Sequence, residues 1–249
     1  MSSAHQTKNK SRTPHRGMEV LEQVDYRLAE TEEDKEAIYR LRYRAYLNEG
    51  AIEPNRDQRT TDRFDDMPGT WIFGVYIDGT LASSIRISLA TPEHRTSPSV
   101  DVFPDILHPE LALGKVIVDP TRFVADPDRI KRSPELPYVT VRLGYVACGY
   151  FNADLGLATV RAEHQAFYRR VFLQEPLCEP RIFPGLLKPV GLMEADYPLI
   201  RERVFQRFPF MRSSVFERRM LFDRGDERLS GVPNMPDLPF ERATIVPRS

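Results

Sequence analysis

Asp78-Gly79 divides two runs rich in β-branched and aromatic residues, Thr70–Asp78 (TWIFGVYID) and Thr80–Ala90 (TLASSIRISLA). An Asp-Gly pair favours the positive-φ conformations of a tight hairpin turn, so the two runs are expected to fold back on each other as antiparallel strands. The second run carries Arg86 where a strand should be apolar. A guanidinium on a covered sheet face is costly unless carboxylates pair with it. Asp62, Asp65 and Asp66 lie just upstream, and the hairpin can fold them back over Arg86. On spacing alone, a solvent-facing Arg86 and acids that merely solvate a loop is the simpler reading, because most charged residues are exposed.

The rest of the chain alternates helical and strand-like segments. Residues 31–50 predict a helix, with Thr31 as cap, acids in the first turn, Ile38, Leu41 and Ala45 on one face and Gly50 as stop. A proline-rich stretch runs from Thr91 to Pro109. Residues 111–120 read as a third strand, and 121–137 as a long polar loop with a basic knot. Residues 138–156 read as a helix weakened at Gly144 and Gly149. A strand at 157–163, a helix at 164–172, a strand at 186–195 and a helix opened by Asp196 at 196–208 complete the order. This is an α+β (α/β layered) pattern, a mixed sheet with helices packed on it. It is not a nucleotide-binding doubly wound fold: GxGxxG does not follow the first strand and GxxxxGK[ST] is absent. Residues 1–17 are expected to form a disordered basic tail, 18–212 the folded domain, and 213–249 a partly ordered C-terminal extension.

Composition excludes some classes. A net charge of -1 argues against a general nucleic-acid binder. Cys148 and Cys178 make no metal or redox spacing and suit a reducing, cytoplasmic setting. The five histidines give no metal-ligand spacing. No apolar run approaches bilayer-spanning length.

Three further patterns carry chemistry. In VIVDPTRFV, an apolar strand meets Asp119, Pro120 and Arg122. Proline forces a bulge or a break, and a bulge frees N–H groups that can meet an oxyanion; the alternative is a strand end with a helix cap. In HQAFYRRVF, Tyr168 can serve as an acid and His164 as a base, against a core aromatic and a surface histidine. In RIKRSPEL, the residues Arg129, Lys131 and Arg132 make a basic loop that is either solvated surface or a dock for an acidic partner or a phosphate.

Taken in order, YRLRYRAYLNEG, DRFDD, Trp71, SSIRIS and VDPTRFV resemble the GNAT-like acyltransferases that take acyl chains from acyl carrier protein. These comprise the acyl-homoserine-lactone synthases and the long-chain N-acyl amino acid synthases. In the former, an arginine of the first helix, a D-x-x-D pair, a strand arginine and E-x-x-R recur in this order. Arg42, Asp62 with Asp65, Arg86, and Asp119 with Arg122 stand at the matching places. The later segment, from HQAFYRRVF to VFQRFPF, looks more like the N-acyl amino acid synthases. The likeness spans roughly residues 35–210. Two departures stand out. Aspartate replaces glutamate at 119, which shortens the reach by a methylene. The R/Q-x-x-G-x-G/A loop that cradles the coenzyme A pyrophosphate is missing, and the basic loop stands in its place.

The resemblance implies a GNAT-type fold, a mixed central sheet with helices on both faces. It implies N-acyl transfer from an acyl carrier protein thioester to the amine of an amino acid. The donor would be acyl-phosphopantetheine on that carrier rather than acyl-CoA, with no metal and no bound cofactor. Arg42, Asp62, Asp65, Trp71 and Arg86 would shape the substrate cleft, and Arg86 or Arg122 would hold an acceptor carboxylate. Asp119 is the candidate base, and Tyr168 or solvent the source of the thiol proton. Arg129, Lys131 and Arg132 would dock the carrier. A lactone-forming autoinducer synthase that consumes S-adenosylmethionine, and a non-catalytic module that binds acyl carriers, are the alternative readings.

Overall fold

A computed structural model describes residues 12–224. The Asp78-Gly79 turn is present with both residues at positive φ (52° and 69°), and it joins β2 (Thr70–Ile77) to β3 (Thr80–Ala90). β1 (Val24–Leu28), which was not expected, pairs antiparallel with β2. β4 (Ile117–Ala125) pairs antiparallel with β3 and parallel with β5 (Leu155–Val160). β7 (Gly191–Asp196) lies antiparallel to β5, with the two-residue β6 (Glu175–Pro176) at the edge. The sheet order is β1-β2-β3-β4-β5-β7-β6.

Alternation along β2 and β3 sorts the two faces of this sheet. Trp71, Phe73, Val75, Ile85 and Ile87 join the main core under α6 (Leu136–Tyr150). On the opposite face, Ile72 packs with Ile38 and Tyr39 of α2 (Glu32–Asn48). Thr31 caps α2 as expected, in a reciprocal capping box with Asp34. Ile72 is the cross-strand partner of Arg86, so Arg86 faces α2 and not the apolar core under α6.

Several expected boundaries move. Residue 111 ends up in a helix, because the proline-rich stretch folds into α3 (Pro98–Val102) and α4 (Pro104–Ala112). Each has proline in its first turn, where the missing N–H has no intrahelical partner to lose. β4 continues through Pro120 to Ala125. Proline is tolerated there because the strand is irregular and mostly unpaired on the β5 side. The expected polar loop becomes the end of β4 and the short α5 (Pro127–Arg132), capped by Asp126. α7 (Ala162–Phe172) and α8 (Tyr197–Arg207) stand where the sequence places helices.

α1 (Arg12–Leu21) runs across position 17, and Gly17 lies against the Phe210 ring, too close for any side chain. Beyond 212, α9 (Val215–Phe222) buries Phe222 in the main core. Its Glu217 pairs with buried Arg142 of α6 at 2.6 Å. Residues before 12 and after 224, which hold most of the two expected tails, lie outside the described residues.

Candidate active site

Arg86 is fully buried, and the loop before β2 meets it. Its Nη1 donates to Asp62 at 2.5 Å and to Asp65 at 2.9 Å, and its Nε to Thr121 of β4 at 3.1 Å. Arg42, on the facing side of α2, donates to both oxygens of Asp65 at 2.8 and 3.0 Å. Arg122 closes the network with Nε and Nη2 on Asp62 at 3.1 and 2.6 Å. The loop is shaped to present these acids. Thr61 Oγ1 and the Asp62 N–H donate to Asp65, and the Phe64 N–H donates to Asp62.

Burial alone would push both carboxyls up. The guanidiniums of Arg86 and Arg122 outweigh it at Asp62, and those of Arg42 and Arg86 at Asp65, so both are held below the usual carboxylate range. Three guanidiniums against two carboxylates leave an excess positive charge. Burial, with the neighbouring Arg86 and Arg122 charges, lowers the proton affinity of Arg42. Arg42, Asp62, Asp65, Arg86 and Arg122 therefore form one network, which ties α2, the acidic loop, β3 and β4 together.

The network braces a distorted strand. Arg122 has φ 53°, and the β3–β4 register shifts between Ser84 and Arg86. β4 and β5 share only the pairs Ile117–Leu155 and Val118–Gly156 and then part. Two cavities open at this split. The larger, about 320 Å³, is lined by Thr121, Arg122, Thr159, His164 and Lys188 among others, and it reaches Ile130 of α5. The smaller, about 40 Å³ and mainly apolar, lies against Val141, Gly144, Tyr145 and Cys148 of α6. Pro120, Phe123 and Tyr168 wall both. Gly144 allows this packing, since a Cβ there would stand 2.7 Å from Pro120 Cγ.

The remaining expected residues fall into three groups. Tyr168 is at the junction of the cavities. Its hydroxyl has no hydrogen-bond partner among the described residues, and burial pushes its pKa up, so the phenol is protonated at neutral pH. His164 lines the larger cavity beside Arg161, 3.0 Å away. Arg129, Lys131 and Arg132 flank Ile130 on α5, with Lys131 paired to Asp128. Asp119 and Trp71 lie elsewhere. Asp119 is fully buried, does not line either cavity, and bonds Ser99 of α3 instead of Arg122. Trp71 is on the α6 face, packed tilted and edge-on against Phe151 and Phe222 with the Arg224 guanidinium over its ring, and lines neither cavity. Ser99 and Thr159 were missed by the sequence reading, as neither sits in a motif.

A mixed sheet that parts between β4 and β5 over a distorted β4 is the GNAT acyltransferase fold. FeeM, an N-acyl amino acid synthase from uncultured soil microbes, superimposes with a TM-score of 0.62 at 15% identity, covering 74% of this chain and 96% of its own. The CoA-dependent acyl-homoserine lactone synthase BjaI, solved with MTA, gives 0.51 at 16% identity, covering 75% and 89%. These likenesses concern the fold. The model of the N-acyl amino acid synthase FeeM family matches residues 37–196, well over half of the chain. The chain belongs to that family and is an acyltransferase. No curated protein sequence matches it significantly.

Proposed function

We propose that this protein transfers a fatty acyl group from an acyl carrier protein thioester to the amine of an amino acid or similar small acceptor, giving an N-acyl amide in the cytoplasm. The observation that carries this reading is the pair of cavities at the β4–β5 split. A larger chamber, walled mainly by apolar residues but with Arg122, Arg161 and Lys188 in its lining, abuts a smaller apolar recess across Pro120, Phe123 and Tyr168. A carboxylate-bearing amine suits the cations of the chamber, and an alkyl chain suits the apolar lining that continues from it into the recess, which at about 40 Å³ takes only part of the chain.

In this reading the thioester carbonyl rests against the distorted part of β4, where N–H groups unpaired on the β5 side meet the oxyanion. Arg122 is the member of the ion network that lines the chamber, and it takes the acceptor carboxylate. Arg42, Asp62, Asp65 and Arg86 act behind it, holding Arg122 and β4 in place. Trp71 has no role at the substrate. Tyr168, a neutral phenol beside both cavities, donates a hydrogen bond to the departing thiolate, which takes its proton from water. The cationic α5 next to the chamber supports a carrier protein as donor, since such a partner offers an acidic face.

The test is thiol release by the purified protein from acyl carrier protein or CoA thioesters of graded chain length, with amino acids as acceptors and products identified by mass spectrometry. N-acyl amino acids formed faster from the carrier-bound donor are expected. Formation of lactones only when S-adenosylmethionine is added would move the protein to autoinducer synthesis. No thioester consumption with any pair would overturn the reading.

A further inference from the structure

Asp119 is a buried carboxylate without a cation in salt-bridge contact among the described residues. Its Oδ2 accepts from the Ser99 N–H at 2.8 Å, and its Oδ1 from Ser99 Oγ at 2.7 Å. Ser99 Oγ stands 2.6 Å from Thr159 Oγ1. Thr159 is on β5 and lines the larger cavity, whereas Ser99 and Asp119 are fully buried. A hydroxyl has one hydrogen to give. Ser99 gives its hydrogen to Asp119, so Thr159 donates to Ser99. The hydrogens thus all point towards the carboxylate, and the lone pairs of Thr159 are left for a donor in the cavity.

We infer that Thr159, Ser99 and Asp119 form a proton relay, through which the acceptor amine in the chamber loses its proton to the buried carboxylate. The inference rests on the acyl-transfer reading and adds the route of the proton. As the amine nitrogen bonds to the thioester carbon, its N–H proton passes to Thr159 Oγ1. The Thr159 proton moves to Ser99, and the Ser99 proton to Asp119 Oδ1. The C–S electron pair leaves with the thiolate, which takes a proton from water. After release of the products, the proton on Asp119 returns along the same hydroxyls to water in the emptied chamber and replaces the one taken by the thiolate, so the sum is thioester plus amine to amide plus thiol. The groups that face Asp119 fit a carboxylate that alternates between charged and neutral forms. They are Ser97 and Ser99, with Arg86 acting only from a distance, and burial raises the proton affinity of Asp119 above the ordinary value. Asp62 and Asp65, clamped by arginine, are shifted the other way and cannot serve.

The experiment measures kcat and acceptor KM over a range of pH for the parent enzyme, Thr159→Val and Thr159→Ser. The isosteric valine removes the hydroxyl and keeps the shape. It is expected to lower kcat by about 10²–10⁴-fold, the usual contribution of a positioned acid or base, with acceptor KM little changed. Activity should recover as pH rises and the free amine needs less help, and serine should restore most of kcat at neutral pH. A valine variant that keeps kcat in an active parent overturns the relay alone, as does one whose loss serine does not repair. A parent enzyme without turnover on any donor and acceptor overturns the functional reading, and the relay with it.

Discussion

At the scale of single residues, the two kinds of buried carboxylate respond to pH with opposite sign. Asp62 and Asp65 titrate below their ordinary value of 3.8 in the folded protein. The stability they contribute is therefore present above about pH 4 and is lost as pH falls through their folded values. Asp119 titrates above 3.8, so its contribution is present below that value and is lost as pH rises through its folded value. Arg86→Met leaves Asp65 to Arg42 and Asp62 to Arg122, and should cost on the order of 3–5 kcal/mol in urea unfolding at pH 7. It should also flatten the acid limb of the stability curve. A loss within experimental error would mean that the other two arginines suffice. Asp119→Asn should be as stable as the parent or more so at pH 7, measured by the same titration; a large loss there would place a stabilising charge at Asp119.

Arg86 was only half legible: a guanidinium inside a strand called for the nearby acids, but spacing alone favoured a solvent-facing side chain, and it was the resemblance that pointed to a network. Ser99 was not legible, because its tie to Asp119 runs from a proline-rich stretch that has no periodicity. Trp71 was misassigned although strand alternation separates it from the site. Arg86 faces Ile72 across the hairpin, and Trp71 shares the opposite face with Phe73.

At the scale of elements, β4 decides where the chemistry can take place. The sequence ends this strand at Pro120, since proline usually stops a ladder. The structure carries it five residues further, because its β5 edge is already open and its β3 edge absorbs an irregularity. The hairpin, α2 and α6 were readable from turn chemistry, capping and apolar content. A parting of two strands has no such local signature. It follows from what packs on either side, and Gly144 is one of those residues. Gly144→Ala puts a methyl 2.7 Å from a rigid proline ring, with Ile87 Cδ1 at 3.9 Å. Overpacking of this kind costs about 1–3 kcal/mol, seen as a lower Tm. Because Gly144 and Pro120 both wall the apolar recess, the variant should also turn over long acyl donors less well than short ones. An unchanged chain-length profile would mean that the alkyl chain lies elsewhere.

At the scale of the molecule, α2 and the ion network brace one face of the sheet, and α6 with α9 covers the other. The cleft then opens towards α5. Residues beyond 212 looked like an appendage because prolines dilute their apolar anchors, yet the ion pair of Arg142 and Glu217 and the burial of Phe222 fasten α9 to α6. The chain is nearly neutral overall, so attraction of an acidic carrier must come from a local cluster and not from net charge. Arg129 and Arg132 have no carboxylate in salt-bridge contact among the described residues, and they flank Ile130 at the chamber wall. Exposed charges of this kind act over about 8–10 Å at ordinary salt and mainly set encounter rates. Arg129→Glu with Arg132→Glu should therefore raise the KM for an acyl carrier protein donor about tenfold or more at low salt, while kcat/KM for a pantetheine thioester of the same chain stays unchanged. Salt should weaken the parent on the carrier donor and leave the double variant nearly insensitive. Equal effects on both donors would mean that the substitutions disturb the chamber itself, and no effect on either would place the carrier on another face.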